Sequence, residues 1–154
     1  MRRSTFRVIR WPARIPIACA AMLLALVCSG YARDEISGPV AATVVRVIDG
    51  DTFVAEAHVW PGETVRVSVR IRGIDAPELH SRCPRERFAA MQARDALAAL
   101  LDGQAVTILN IGGGKYYGRV LADVETGDGA VAPTMLSLAL VRRYSGGRRQ
   151  PYCG

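Results

Sequence analysis

The chain has 154 residues, half of them apolar, with 20 Lys and Arg against 14 Asp and Glu and a formal charge of +6. That length suits one compact domain with a real core. The charge surplus is gathered at the N-terminus, which excludes a protein that coats nucleic acid through general basicity; any anion site must come from local clustering.

Arg2, Arg3, Arg7, Arg10 and Arg14 precede any acid, and an apolar run of 14 residues, Ile15 to Cys28, follows. Ser29-Gly30-Tyr31-Ala32 closes the segment. The order basic, apolar, small-x-small predicts a signal peptide over residues 1–32, with Arg33 as the mature N-terminus. An uncleaved membrane anchor is the alternative, but the run is short of the roughly 20 residues that span a bilayer. The expected location is therefore outside the cytoplasm, periplasmic or secreted. Removing residues 1–32 takes away five arginines and no acid, so 15 − 14 = +1 remains on 154 − 32 = 122 residues. Cys19 and Cys28 go with the leader, leaving Cys83 and Cys153. An even pair in an oxidising compartment points to one disulfide, with two unrelated thiols as the alternative. Closing a loop of about 70 residues is worth at most ~4 kcal/mol in the chain-entropy account.

In chain order, Val40 to Ile48 and Thr52 to Val59 are rich in strand-forming residues and flank an Asp-Gly turn. Trp60-Pro61-Gly62 is a second turn. Val65, Val67, Val69 and Ile71 then alternate with Arg66, Ser68, Arg70 and Arg72, the pattern of a half-buried strand with a basic outer face. Pro84 opens a helix through Leu101, with Ala90, Ala93, Leu97, Leu100 and Leu101 on one face, and Asp102-Gly103 ends it. Ala105 to Asn110 and Val120 to Val124 read as strands around a glycine-rich loop, Ile111 to Arg119. A short helix is expected from about Thr134 to Arg143 after Pro133, then an irregular tail. Five strands with a helix after the third predict a mainly β protein with helices, an OB-type five-stranded barrel with an inserted helix and a short C-terminal helix. The fold accounts for one domain, residues 33–154.

Two acidic clusters stand at the strand ends. "VIDGDT" (Val47 to Thr52) places Asp51 just after the turn glycine, and "RIRGIDAPE" (Arg70 to Glu78) places Asp75 before Ala76-Pro77. Pro77 holds Ala76 extended and so fixes the direction of its carbonyl. Asp51, Asp75 and the Ala76 backbone carbonyl make an all-oxygen half-shell suited to a hard cation. Two like charges about 5 Å apart repel by roughly 3 kcal/mol at an effective dielectric of 20, a cost that a divalent ion removes. Taken singly, each Asp is a strand terminator. The EF-hand pattern fails, because Phe53 stands where a ligand is required. His80 and His58 read as surface residues, since no partner His or Cys is spaced to help them hold a metal.

"VIDGDT", "RIRGIDAPE" and "KYYGR", in that order and spacing, resemble the staphylococcal nuclease-like (thermonuclease) family over most of residues 40–143. The resemblance implies Asp51, Asp75 and the Ala76 carbonyl as Ca²⁺ ligands, with another divalent cation as an alternative. It implies Glu78 as general base, and Arg70 and Arg119 as the phosphate-contacting arginines. Lys115, Tyr116 and Tyr117 are implied as substrate-binding residues, with Tyr116 standing where the family has a lysine. The family's tyrosine-bearing C-terminal segment is replaced by "YSGGRRQPYCG". Such a site suits phosphodiester hydrolysis: a cation polarises the phosphoryl oxygen, forked guanidiniums hold the others, and a carboxylate takes a proton from water. Arg66 and Arg72 read as solvated strand charges. The function expected is an exported, metal-dependent nuclease, monomeric and without a stable protein partner, acting on DNA and/or RNA. The alternative is an OB-fold module that binds oligonucleotides without cutting them, but such a binder has no use for three acids beside an anion.

Overall fold

The period-two pattern of the N-terminal half and the helix formers after Pro84 produce the elements that they predict. In a computed structural model, residues 35–114 and 118–153 are described; the expected leader, residues 1–32, and the candidate substrate-binding Lys115, Tyr116 and Tyr117 lie outside them. The described elements are β1 (Glu35–Ile36), β2 (Val40–Asp49), β3 (Thr52–Trp60), β4 (Glu63–Ile71), β5 (Ile74–Asp75), helix α1 (Pro84–Leu101), β6 (Val106–Gly113), β7 (Arg119–Thr126), β8 (Gly129–Ala130), helix α2 (Val131–Ser137) and β9 (Arg142–Arg143).

Strands β6, β2, β3, β4 and β7 neighbour one another in that order, and β7 pairs again with β6, so the sheet closes into a five-stranded barrel. Closure removes the exposed edges that a five-stranded open sheet would carry. The β4–β7 pair is parallel and sets Arg119 opposite Ser68 and Arg70 opposite Leu121. Phe53, Val69, Ile71 and Ile108 fill the interior, each stabilising by about 1.5–3 kcal/mol. Near the β3–β4 hairpin tip the alternation outruns the core, and Val59, Trp60 and Val65 are exposed.

Helix α1 begins with Pro84 at its first position and turns Ala90, Ala93, Leu97 and Leu101 inward. It packs on β2, and Gly50 makes the contact possible. A Cβ built there would lie 2.5 Å from that of Ala93 and 3.0 Å from that of Ala76. The glycine of the acidic turn is thus a packing requirement, which a side chain would violate.

Three sequence expectations need correction. The segment expected as a loop from Ile111 is still strand to Gly113, because a register shift at Asn110 (φ 48°) lets Gly112 and Gly113 pair with Leu121 and Val120. The last helix runs Val131–Ser137 rather than Thr134–Arg143. Pro133 sits within its first turn, where a missing N–H costs nothing, and Ala139 at φ 55° ends the helical path. Arg142 and Arg143 then form a strand against Asp75 and Ile74.

Candidate active site

Asp51 follows directly from the tight turn. Its backbone N–H donates to Asp49 Oδ1 (3.0 Å), which fixes the turn, and its carboxylate points inward, 1 % exposed. Thr52 Oγ1 and Arg70 donate to Asp51 Oδ1 at 2.7 and 2.6 Å, and the Ala76 N–H donates to Oδ2 at 2.8 Å. Burial pushes the Asp51 carboxyl up to about 6, with the Asp49 charge adding to it; Arg70 and the two other donors pull it back. The "VIDGDT" and "RIRGIDAPE" motifs therefore meet in space, through the Asp51–Ala76 bond.

Arg70 lies opposite Thr52 across the β3–β4 ladder. One terminal nitrogen meets Asp51 and the other meets Asp75 Oδ1 at 2.9 Å. Its guanidinium is the bridge between the two buried acids, a role that its place on the outward face of the strand did not announce. Arg72 also departs from expectation. It is no solvated charge: it donates to Glu35 Oε1 at 3.1 Å, to the Leu121 carbonyl at 3.3 Å and to the Asn110 carbonyl.

The C-terminal tail supplies partners that the sequence reading did not assign. Arg149 Nε donates to Asp75 Oδ1 at 2.6 Å, one terminal nitrogen reaches the Ala76 carbonyl at 3.1 Å, and the other pairs with Glu78. Its bond to Asp75 holds the guanidinium above its usual pKa. Tyr152 donates its hydroxyl to the Asp75 carbonyl at 2.6 Å, and burial pushes that phenol up to about 12. Arg142 lies over the Tyr152 ring, 3.9 Å from its centroid, and donates to the Pro151 carbonyl. A Cys83–Cys153 disulfide fastens the tail to the start of α1. The doubled arginines of "RRYSGGRRQPYC" were the available signal, together with the cysteine that anchors them.

An open cavity of about 480 Å³ is bordered by Asp49, Arg70, Glu78, Gly114, Arg119 and Arg149. Gly114 donates its N–H to the Arg119 carbonyl at 2.9 Å. A Cβ at position 114 would lie 2.3 Å from that same oxygen, so only glycine allows the approach. The structure thus brings Arg70, Glu78 and Arg119 to one cavity, with Asp51 and Asp75 beneath Arg70. His80 and His58 are exposed and stand apart, His58 bonding Thr43.

Asp51, Asp75 and the Ala76 carbonyl have the donor chemistry of a hard cation site, and the positive charge that their oxygens attract in this structure is supplied by guanidinium. Among the described residues no three acid, His or Cys side chains converge as a ready cluster for a metal. The set fits a cation that also draws on a carbonyl oxygen.

The sequence model of the family described as staphylococcal nuclease homologue matches residues 68–146, just over half of the chain. The chain belongs to this family. The matched segment of this staphylococcal nuclease homologue contains Arg70, Asp75, Glu78 and Arg119, and ends before Arg149. No curated protein matches the chain.

Proposed function

We propose that this staphylococcal nuclease homologue is an exported, metal-dependent nuclease that hydrolyses phosphodiester bonds of DNA and/or RNA. The observation that carries the reading is the joint placement of Arg70, Glu78 and Arg119 around one cavity beside the paired Asp51 and Asp75. Ca²⁺, or another divalent cation, would be held by Asp51, Asp75 and the Ala76 carbonyl; when bound it supplies Lewis-acid polarisation of a phosphoryl oxygen. Arg70 and Arg119 bind the remaining phosphate oxygens with forked donors that a lysine cannot copy. Glu78 accepts a proton from the attacking water as the P–O bond to the leaving oxygen breaks. Lys115, Tyr116 and Tyr117 fall in the segment just before Arg119 and are proposed to meet the bases, the tyrosines by stacking. Export rests on the leader and on the disulfide, a bond of oxidising compartments.

One observation favours the second reading, a module that binds without cutting. Arg149 pairs with Glu78 and Asp75, which leaves the cavity's wall more basic than its sequence suggests. Incubating the purified chain with single- and double-stranded DNA and RNA, in Ca²⁺, Mg²⁺ or EDTA, separates the two. Cleavage that vanishes in EDTA and returns with Ca²⁺ is expected. Binding of oligonucleotides with no cleavage in any metal establishes the second reading, and full cleavage in EDTA removes the metal from the first.

A further inference from the structure

The tail arginine engages the oxygens that the metal reading needs. Arg149 approaches Asp75 Oδ1 with two of its nitrogens, both at 2.6 Å, and takes the Ala76 carbonyl and the Glu78 carboxylate with its terminal nitrogens. Asp75 and the Ala76 carbonyl are two of the three groups proposed to hold the cation, and Glu78 is the proposed proton acceptor. One guanidinium therefore covers the cation's seat and the base together.

We propose that Arg149 is the resident counter-cation of this site, one that a divalent ion must displace, and that its hold on Asp75 sets the site's affinity for metal. The inference rests on the metal reading above. Asp75 Oδ1 already carries both Arg70 and Arg149, and Arg149 also takes the Ala76 carbonyl. A divalent ion seated there adds two more charges to a half-buried site where repulsion is poorly screened, and the more exposed guanidinium, Arg149, gives way. Loading with metal and release of Arg149 are thus one equilibrium, and whatever strengthens the arginine's grip weakens the metal by the same factor.

The tail is built to keep the guanidinium near. The disulfide fixes Cys153, the Tyr152 hydroxyl holds the Asp75 backbone, and Arg142 grips both Pro151 and the Tyr152 ring. On the other side Tyr144 donates to the Gly147 carbonyl, across glycines at φ 101° and 90°. A tethered group competes at an effective concentration on the order of millimolar or above, whatever the protein concentration. Yet the Arg149 side chain is 40 % exposed, so it can leave its partners without unfolding anything. Arg149 borders the same cavity as Arg70 and Arg119, so a displaced guanidinium remains within reach of a bound phosphate. Glu78 is uncovered by the same movement.

Calorimetric titration of the disulfide-intact chain with CaCl₂ tests the proposal without reference to activity. Arg149→Ala is expected to bind Ca²⁺ about tenfold more tightly than the wild type, the size of an exposed but tethered ion pair. Arg148→Ala removes the same charge one residue away and is expected to change affinity less than about twofold, since its charge is screened by solvent. In the wild type, Ca²⁺ is expected to shift the resonance of the Arg149 Nε–H, which donates to Asp75, and to speed its exchange with solvent, an arm that needs no variant. Equal shifts in the two variants, or an Arg149 Nε–H whose resonance and exchange Ca²⁺ leaves unchanged, overturn the proposal while the metal reading stands. No Ca²⁺ binding in the wild type and both variants overturns the metal reading and the proposal together.

Discussion

The two acids beneath the cavity are equally central and differently held. Asp51 takes its partners from the barrel and the adjoining strand end: Thr52, Arg70 and the Ala76 N–H, with Asp49 bracing its turn. Asp75 shares Arg70 with it, but its other side-chain partner, Arg149, comes from 74 residues further along the chain, and Tyr152 holds its carbonyl. One half of the site is assembled as soon as the barrel closes; the other is completed by a tail that a disulfide must secure. A substitution on the Asp51 side should therefore act through the fold, and one at a side chain that contacts Asp75 mainly through function, the tail's disulfide apart.

The largest expected effect tests the functional half. Glu78→Gln should cut turnover by about 10²–10⁴, as for a general base, with no loss of substrate affinity, because the substrate is an anion. Steady-state kinetics beside a binding assay reads both, and wild-type turnover would remove Glu78 from the role of base. Next in size, Cys153→Ser should lower the free energy of unfolding by at most ~4 kcal/mol, seen as a lower denaturation midpoint with barrel circular dichroism retained. An unchanged midpoint would mean that the tail is held without the bridge. On the barrel side, Gly50→Ala forces the turn away from Ala93 and should cost about 1–3 kcal/mol by overpacking. Calorimetric melting measures it, and a neutral result would break the claim that the acidic turn is seated by helix contact. The smallest effect belongs to Arg72→Ala, which gives up bonds to Glu35 and two carbonyls at a partly exposed site. About 1 kcal/mol of stability should go with it, while turnover per folded molecule stays constant.

What could be read in advance divides along the same line. The meander and α1 announce themselves through periodicity, since each carries enough residues of one period to show a face. The nearness of the two motifs was legible as well, because both stand at strand ends, but the Asp51 bond to the Ala76 N–H rather than a shared carbonyl site was not. Strands β5 and β9 hold two residues each, too few for any alternation to show. Arg149 reads in sequence as one charge in a glycine-rich, polar tail, and only a contact made through the folded chain reveals what it neutralises. Arg72 misleads for the opposite reason. Alternation places it correctly on the outer face, but it cannot tell that Glu35, Asp123 and two carbonyls wait there. The sequence alone puts the start of α2 after Pro133, whereas the first turn accepts proline at any position that lacks an intrahelical acceptor.

The parallel pairing of β4 with β7 has a consequence for how this protein can vary. Arg70 and Arg119 are carried on neighbouring strands of one ladder, so the spacing of their backbones is set by sheet geometry, as on a ruler. Gly114 and Arg119 are joined by a backbone bond at the base of the intervening segment, which fastens both of its ends. Residues can be gained, lost or exchanged between those two positions while the arginine pair keeps its gauge. Under the proposed function, preference among nucleic acids would drift in that segment independently of the residues proposed to cleave, and grafting it from one homologue to another should transfer the preference without retuning the chemistry.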